Sequence, residues 1–192
     1  GGNKTIDLLA LLEGRLIVGN SDIYLKFLKT VKKASLLQNE NLLNYCYEHN
    51  NYYEVSNTVF QQEPNVKEEL NRLYWALTLA RLKHDLKNTN QFELLDELLT
   101  NSLISVSAFK KIQSSLAFLS KVRLHLHCEQ KGSYRDMMSY EVRENIAQSM
   151  GYEVKKFFHK YFYEAAYPLK KYSRNIFRES MSQDIQKVKN LS

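Results

Sequence analysis

The sequence predicts an all-α fold, a bundle of about seven to eight helices. Only six Gly and two Pro interrupt its 192 residues. The long stretches between them are rich in Leu, Lys, Glu, Gln and Asn, a composition that favours helix over sheet. Hydrophobic residues make up 44% of the chain, which is enough for a substantial core in one domain or in two packed subdomains.

Helix caps and apolar spacing predict the first two helices. With Asn3 or Thr5 as the cap, a helix over residues 6–18 places its leucines on one face, and Gly19 supplies the stop. Ser21 and Asp22 are the predicted cap of a second helix, which is expected to end at Lys32 and Lys33. Its expected buried stripe is Ile23, Phe27, Leu28 and Val31.

The same spacing predicts helices along the rest of the chain. Pro64 separates two of them, because proline lacks the backbone donor that a continuing helix needs. Gly151 closes another, and we expect Pro168 to kink the last one. These helices are predicted over 40–60, 66–86, 92–99, 102–129 and 139–150, and from 152 onward.

The ends of the chain and its apolar runs suggest a cytoplasmic location. A start at Gly1 and Gly2 without Met is typical of a cut tag, so we expect residues 1–5 to be a scar or linker and 179–192 to be a tail or helix end. No run approaches the ~18 uncharged apolar residues of a membrane span. Cys46 and Cys128 lie far apart with no CxxC pairing, and we expect both to be buried thiols.

The formal charge of +6 admits an acidic protein face, a nucleotide or a nucleic acid as partner. Lys and Arg are spread along the chain among 21 acidic residues, whereas nucleic-acid binders usually concentrate them in a stripe. We therefore do not expect nucleic acid to be the main partner. Aromatic residues within 45–53 and 157–163 could stack bases, but their helical spacing favours packing in the core.

Two kinds of catalytic motif are absent from the sequence. No two acidic residues are separated by one residue, so no Asp-x-Asp pair could bridge two Mg²⁺ ions, and no GxGxxG or GxxxxGK[ST] loop occurs. His125, His127 and Cys128 invite a zinc hypothesis. On a helix His125 and His127 point roughly 200° apart, so they cannot chelate one ion. We predict no catalytic residue and no metal site in this chain.

Three stretches, in this order, resemble the helical region that follows the nucleotidyltransferase core of bacterial PII uridylyltransferase/uridylyl-removing enzymes. Residues 11–20 are similar to that family's Leu-x-Glu-Ala-Arg-x-x-x-Gly-Asp, with matches at Glu13, Arg15 and Gly19. Residues 63–68 are similar to Glu-Pro-Asn-Val-Lys, but the family's continuation Pro-Gly-Gly-Leu-Arg-Asp is missing. Residues 122–163 parallel a Val-Arg-x-x-Leu-His segment, an Ala-x-x-Leu-Gly-Tyr segment and a final aromatic helix.

The resemblance implies that residues 6–178 are a helical accessory domain packed on a nucleotidyltransferase domain. The whole protein would then transfer UMP from UTP to a tyrosine of a PII-type signalling protein, with Mg²⁺ and UTP bound outside this chain. By analogy, five residues are candidates for an interface with the nucleotide or the catalytic domain: Glu63, Asn65, Lys67, Arg123 and His125. Five others are expected to be structural: Glu13, Arg15, Gly19, Gly151 and Tyr152.

Two other readings stay open at this point. The helices could form a non-enzymatic module that docks a protein partner through exposed aromatic residues. A basic helical bundle that binds nucleic acid is a third reading, which salt-dependent binding would favour. For Glu13, Arg15 and Arg123, interhelical ion pairs are an alternative to any role in binding a ligand.

Overall fold

A computed structural model describes residues 4–14, 17–55, 59–130 and 135–189, with only the backbone described for 53–55 and 182–189. Within these ranges the chain is helical and forms no strand, which confirms the all-α prediction. The described residues form eight helices, because the residues from Val154 to Lys189 make one continuous helix of three segments. The segments are α1 (Lys4–Leu12), α2 (Ser21–Leu37), α3 (Asn39–Val55), α4 (Val66–His84), α5 (Gln91–Thr100), α6 (Val106–Glu129), α7 (Tyr140–Ser149), α8 (Val154–His159), a π-helical segment (Lys160–Ala166) and α9 (Tyr167–Lys189).

The chain divides into two compact units, Gly1–His49 and Asn50–Ser192. In the first unit α1 packs against α2. The hydroxyl of Tyr24 on α2 donates a hydrogen bond of 2.9 Å to the carbonyl of Gly14. This bond ties the turn after α1 to the second helix.

The predicted end of the first helix was wrong. The helix ends at Leu12 rather than Val18, and Ile17 and Val18 are 81% and 90% exposed. Gly14 explains the early end, because glycine weakens a helix interior and the backbone turns there. Ile17 and Val18 fit the helical spacing of the sequence, but they do not continue the helix.

The second helix differs from the prediction at its start, in its buried stripe and in its length. Asn20, not Ser21, is the cap, since its side chain accepts hydrogen bonds from the backbone of Asp22 and Ile23. Ile23 is 68% exposed, while Val31 is buried. The helix also continues past the lysines that were expected to end it, as far as Leu37.

The core of the second unit lies where α4 packs along α9 and where α6 packs against α9, the π-helical segment and α7. α6 presents one buried stripe at spacings of three and four residues, as its sequence predicts. The largest side chains that are fully buried here are Tyr161, Phe157, Leu73, Leu77, Leu79, Leu95, Leu98, Ile112, Leu119, Leu126 and Met138.

The final helix accommodates Pro168 by a change of hydrogen-bonding pattern. Proline has no backbone N–H to donate to the carbonyl of Glu164 four residues earlier. The hydroxyl of Ser115 on α6, which is buried, approaches that carbonyl at 3.4 Å as a donor. The π-helical segment Lys160–Ala166 comes directly before α9, so the helical hydrogen-bonding pattern changes just before the proline.

α4 carries a buried ion pair on its face toward the core. Arg72 Nε donates to Glu69 Oε2 at 3.0 Å, and both side chains are 3% exposed. Burial raises the pKa of Glu69 above its usual value, although Arg72 acts in the opposite direction. The arginine therefore offsets part of the cost of burying this carboxyl group.

Removing one member of this ion pair should destabilise the protein more than removing both members. Arg72→Met is predicted to destabilise the protein by about 3 kcal/mol, because it leaves Glu69 buried without its partner. The double variant Glu69→Met/Arg72→Met removes the stranded charge and should be more stable than Arg72→Met alone. Urea unfolding of both single variants and the double variant measures the coupling, and additive losses would contradict the prediction.

Candidate functional site

The site is built where two loop segments pair with each other. One segment leads into α4 and the other precedes α7. The backbone N–H of Val66 donates to the carbonyl of Asp136 at 2.8 Å, and the N–H of Met138 donates to the carbonyl of Pro64 at 2.9 Å. Asn65 and Met137 form an antiparallel bridge between them. We call this the loop bridge, residues 64–66 with 136–138.

Asn65 also starts α4. Its side-chain oxygen accepts hydrogen bonds from the backbone of Lys67 at 3.1 Å and of Glu68 at 3.2 Å, which satisfies two N–H groups of the first turn. Lys67 follows in that turn with an exposed side chain. One asparagine thus joins the loop bridge to the helix and fixes where Lys67 lies.

Two side chains from α6 hold the other half of the loop bridge. Arg123 makes a forked contact with Asp136, Nε to Oδ1 at 2.6 Å and Nη2 to Oδ2 at 3.3 Å. His127, one turn further along, places Nε2 at 2.9 Å from the same Oδ1. Partial burial alone would raise the pKa of Asp136, but Arg123 and His127 outweigh it and lower that pKa below its usual value.

Glu63, just before the loop bridge, reaches the start of α7. Its Oε1 accepts a hydrogen bond of 3.2 Å from the backbone N–H of Tyr140. Ser139, the residue at the cap position, makes no side-chain capping bond. A carboxylate distant in sequence therefore supplies the acceptor for this helix start.

A cavity of about 490 Å³ lies beside this contact, lined by Gln62, Glu63, Tyr140 and Arg143. The guanidinium carbon of Arg143 lies 3.4 Å from the centre of the Tyr140 ring and 5.5 Å from that of Phe158. Stacking of this kind orients a guanidinium while leaving its N–H groups able to donate. We call this the 63–143 cavity.

The remaining interface candidate, His125, lies on another side of α6. Its Nδ1 is 3.0 Å from the hydroxyl of Ser149 at the end of α7. His125 and His127 thus contact different elements, as their separation on a helix requires. The expectation for Cys128 was wrong: it is exposed, because it lies two residues after buried Leu126 and faces outward, whereas Cys46 is buried.

The structure therefore gathers three of the five interface candidates around the loop bridge: Glu63, Asn65 and Arg123. Lys67 directly follows the first segment of the loop bridge, and His125 lies apart. Asp136, which joins them, was missed from the sequence because a lone Asp thirteen residues after Arg123 carries no spacing signal. Tyr140 and Arg143 were missed as a pair, although their separation of three residues on a helix could have indicated the stacking.

The five residues expected to be structural are placed as follows. Gly151 has a φ of +78°, a left-handed conformation that suits glycine at the end of α7. The N–H of Tyr152 donates to the carbonyl of Ala147 at 2.8 Å, and its hydroxyl accepts from Lys160. Glu13 forms the turn after α1 and Gly19 has a φ of +137°. Arg15 lies outside the described residues.

The described part of the chain contains neither a cluster of metal ligands nor a membrane-spanning helix. No three or more His, Cys, Asp or Glu side chains there are grouped so that they could hold a metal ion. No helix there combines the length and apolar character that crossing a membrane requires.

A family model described as GlnD PII-uridylyltransferase matches residues 45–177. The match covers the site and most of the second unit. No solved structure shows a significant match to the chain. The chain belongs to the GlnD PII-uridylyltransferase family.

Similar curated proteins carry the name bifunctional uridylyltransferase/uridylyl-removing enzyme. One from Haemophilus influenzae strain PittEE is 30% identical over 125 residues, which are 61% of this chain and 13% of that protein. One from Haemophilus influenzae strain 86-028NP is 27% identical over 150 residues, 74% of this chain and 16% of that protein. One from Hydrogenovibrio crunogenus is 23% identical over 145 residues, with the same two shares. The chain therefore spans less than a fifth of the length of these relatives.

Asp136→Asn is predicted to weaken the loop bridge by about 1–3 kcal/mol at neutral pH, since it removes the charge that Arg123 and His127 contact. The pKa of Asp136 is lower in the folded protein than in the unfolded chain. Its stabilisation is therefore present above the unfolded pKa of about 4 and is lost as the pH falls through the lower folded value. The difference between wild type and variant should be present at neutral pH and shrink in acid, as Asp136 takes up its proton.

Denaturant unfolding measured from pH 2 to 7 tests this prediction. Asp96→Asn, at an exposed position on α5, removes one carboxylate away from the loop bridge and serves as the control. A stability difference that persists unchanged in acid, or a control that behaves like Asp136→Asn, would show that the Asp136 charge does not stabilise the fold.

Proposed function

We propose that this chain is the helical region of a larger uridylyltransferase-type enzyme, and that the surface around the loop bridge faces the catalytic domain. The proposal rests on the way in which two distant segments of the sequence come together in the fold. Two segments that resemble the family, 63–68 and 122–127, begin 59 residues apart in sequence yet are joined through the loop bridge and Asp136. Segments that fold into one rigid surface can present their side chains to a common partner.

The position of Lys67 supports a role other than stability. It lies in the first turn of α4, where the helix dipole favours acidic side chains and disfavours a cation. Glu68 and Glu69 in the same turn follow the usual preference. An exposed lysine at this place is suited to offset phosphate or carboxylate charge supplied by a ligand or by a neighbouring domain.

In this proposal the whole protein transfers UMP from UTP to a tyrosine of a PII-type signalling protein in the cytoplasm. The relatives' names include both the uridylyltransferase and the uridylyl-removing activity. The described residues offer no carboxylate cluster suited to Mg²⁺. We therefore propose that Mg²⁺ and UTP bind in the catalytic domain, and that this chain positions and supports that domain.

Lys67→Glu separates a functional role from a structural one. In the full-length protein we predict that it lowers kcat/KM for uridylyl transfer by about tenfold or more, since one charge contact to a phosphate is worth over 1 kcal/mol. Thermal unfolding of this chain should be unchanged or slightly improved, because the substitution suits the helix dipole. Uridylyl transfer to a PII-type protein and thermal unfolding are the two measurements.

Lys110→Glu is a matched control, since Lys110 is also exposed and lies in the early part of α6. Equal activity of Lys67→Glu and wild type would remove Lys67 from the interface. The 192-residue chain alone should not turn over UTP with Mg²⁺ and a PII-type protein. Measurable transfer by this chain alone would contradict the proposal that the catalytic centre lies elsewhere.

A protein-docking module is the second candidate, and one feature favours it. Three exposed aromatic residues form a contiguous cluster: the ring centre of Phe60 lies 5.3 Å from that of Tyr163 and 6.4 Å from that of Tyr167. Such patches often mark protein contacts. If the full-length gene encodes no nucleotidyltransferase domain, this function replaces the first.

A further inference from the structure

The 63–143 cavity carries two opposite charges that do not neutralise each other. Both Glu63 and Arg143 line the cavity. Glu63 uses one carboxylate oxygen to accept from the backbone of Tyr140, and Arg143 contacts the rings of Tyr140 and Phe158. Among the described residues neither side chain forms an ion pair, so their charged atoms lie beyond ion-pair distance of each other.

The arrangement is held in place from both sides. Glu63 is fixed by its bond to the start of α7, and α7 also carries Arg143 one turn later. The contacts of Arg143 with the Tyr140 and Phe158 rings limit the directions that its guanidinium can take. Two opposite charges that line one cavity and are each oriented by the fold are preorganised for a ligand that bridges them.

We propose that the 63–143 cavity binds a small zwitterion, a molecule with an ammonium group and an oxyanion at a fixed spacing. The oxyanion, a carboxylate or a phosphate, takes the forked donors of Arg143. The ammonium group lies against the Glu63 carboxylate. The apolar chain that joins them lies along the exposed ring of Tyr140.

Charge layout favours a zwitterion over a simple ion. An anion alone would be attracted by Arg143 and repelled by Glu63. A cation alone would be attracted by Glu63 and repelled by Arg143. A molecule with both charges pairs with Glu63 and with Arg143 and adds no net charge to the cavity. With about 490 Å³, the space accommodates a linear molecule of several heavy atoms.

The proposal goes beyond the proposed function and does not depend on it: Glu63 belongs to both surfaces, but Arg143 and Tyr140 have no part in the proposed interface. Its test uses the 192-residue chain and no uridylyl-transfer assay. A failure of the zwitterion site would leave the domain-interface proposal standing. A failure of the Lys67 prediction would leave this site standing.

Calorimetric titration with a spacing series is the experiment. The probes are glycine, 3-aminopropanoate, 4-aminobutanoate and 5-aminopentanoate, with acetate and methylammonium as single-charge controls. Phosphoethanolamine distinguishes a phosphate oxyanion from a carboxylate. We expect one spacing to bind at least tenfold more tightly than either single-charge control.

Variants then assign the two charges. Arg143→Gln and Glu63→Gln should each weaken binding of the best probe by tenfold or more, and Glu63→Gln keeps an acceptor for the Tyr140 N–H. Arg143→Lys, which keeps the charge but loses the planar fork, should give an intermediate loss. Arg135→Gln and Glu144→Gln, both exposed and outside the cavity lining, should bind as wild type does.

Several results would overturn the proposal. They are no saturable binding of any zwitterion, equal binding of acetate and the best zwitterion, or binding that neither cavity variant weakens. Circular dichroism melting of each variant shows whether the fold is retained. If Arg143→Gln unfolds the chain, Arg143→Lys and Glu63→Gln decide the question.

Discussion

The second unit depends on one carboxylate in an otherwise helical structure. Asp136 connects the loop before α7 to both α6 and α4. Its side chain contacts Arg123 and His127 of α6, while its backbone carbonyl accepts a hydrogen bond from Val66 at the start of α4. Loops between helices usually satisfy their backbone groups with solvent. Here two loops satisfy each other, and the side chains around them gain fixed positions as a result.

The double roles of Asn65 and Glu63 explain why the loop bridge matters for function. Asn65 is at once a bridge residue and the cap of α4, and Glu63 is at once next to the bridge and the acceptor for α7. The starts of two helices are therefore tied to one pair of loop segments. The hydrogen bonds made by Asn65 and Glu63 therefore position both proposed sites, the interface around Lys67 and the zwitterion site around Arg143.

Much of the fold could be predicted from the sequence, and the failures have physical causes. α4 and α6 were predicted closely because long apolar stripes dominate their packing. α1 was predicted too long, because spacing alone does not show that Gly14 lets the backbone turn before Ile17. The resemblance indicated Arg123 and Glu63 but not their partners, since a contact such as Arg123 to Asp136 is set by tertiary packing across a loop.

Native-state hydrogen exchange at two amides tests the central claim most directly. The N–H groups of Val66 and Met138 are the donors of the loop bridge. If the bridge is a rigid part of the second unit, both should exchange as slowly as amides inside α4 and α6, and Asp136→Asn should speed them together. Exchange of both amides at the rate of an open loop, unchanged by Asp136→Asn, would contradict the account.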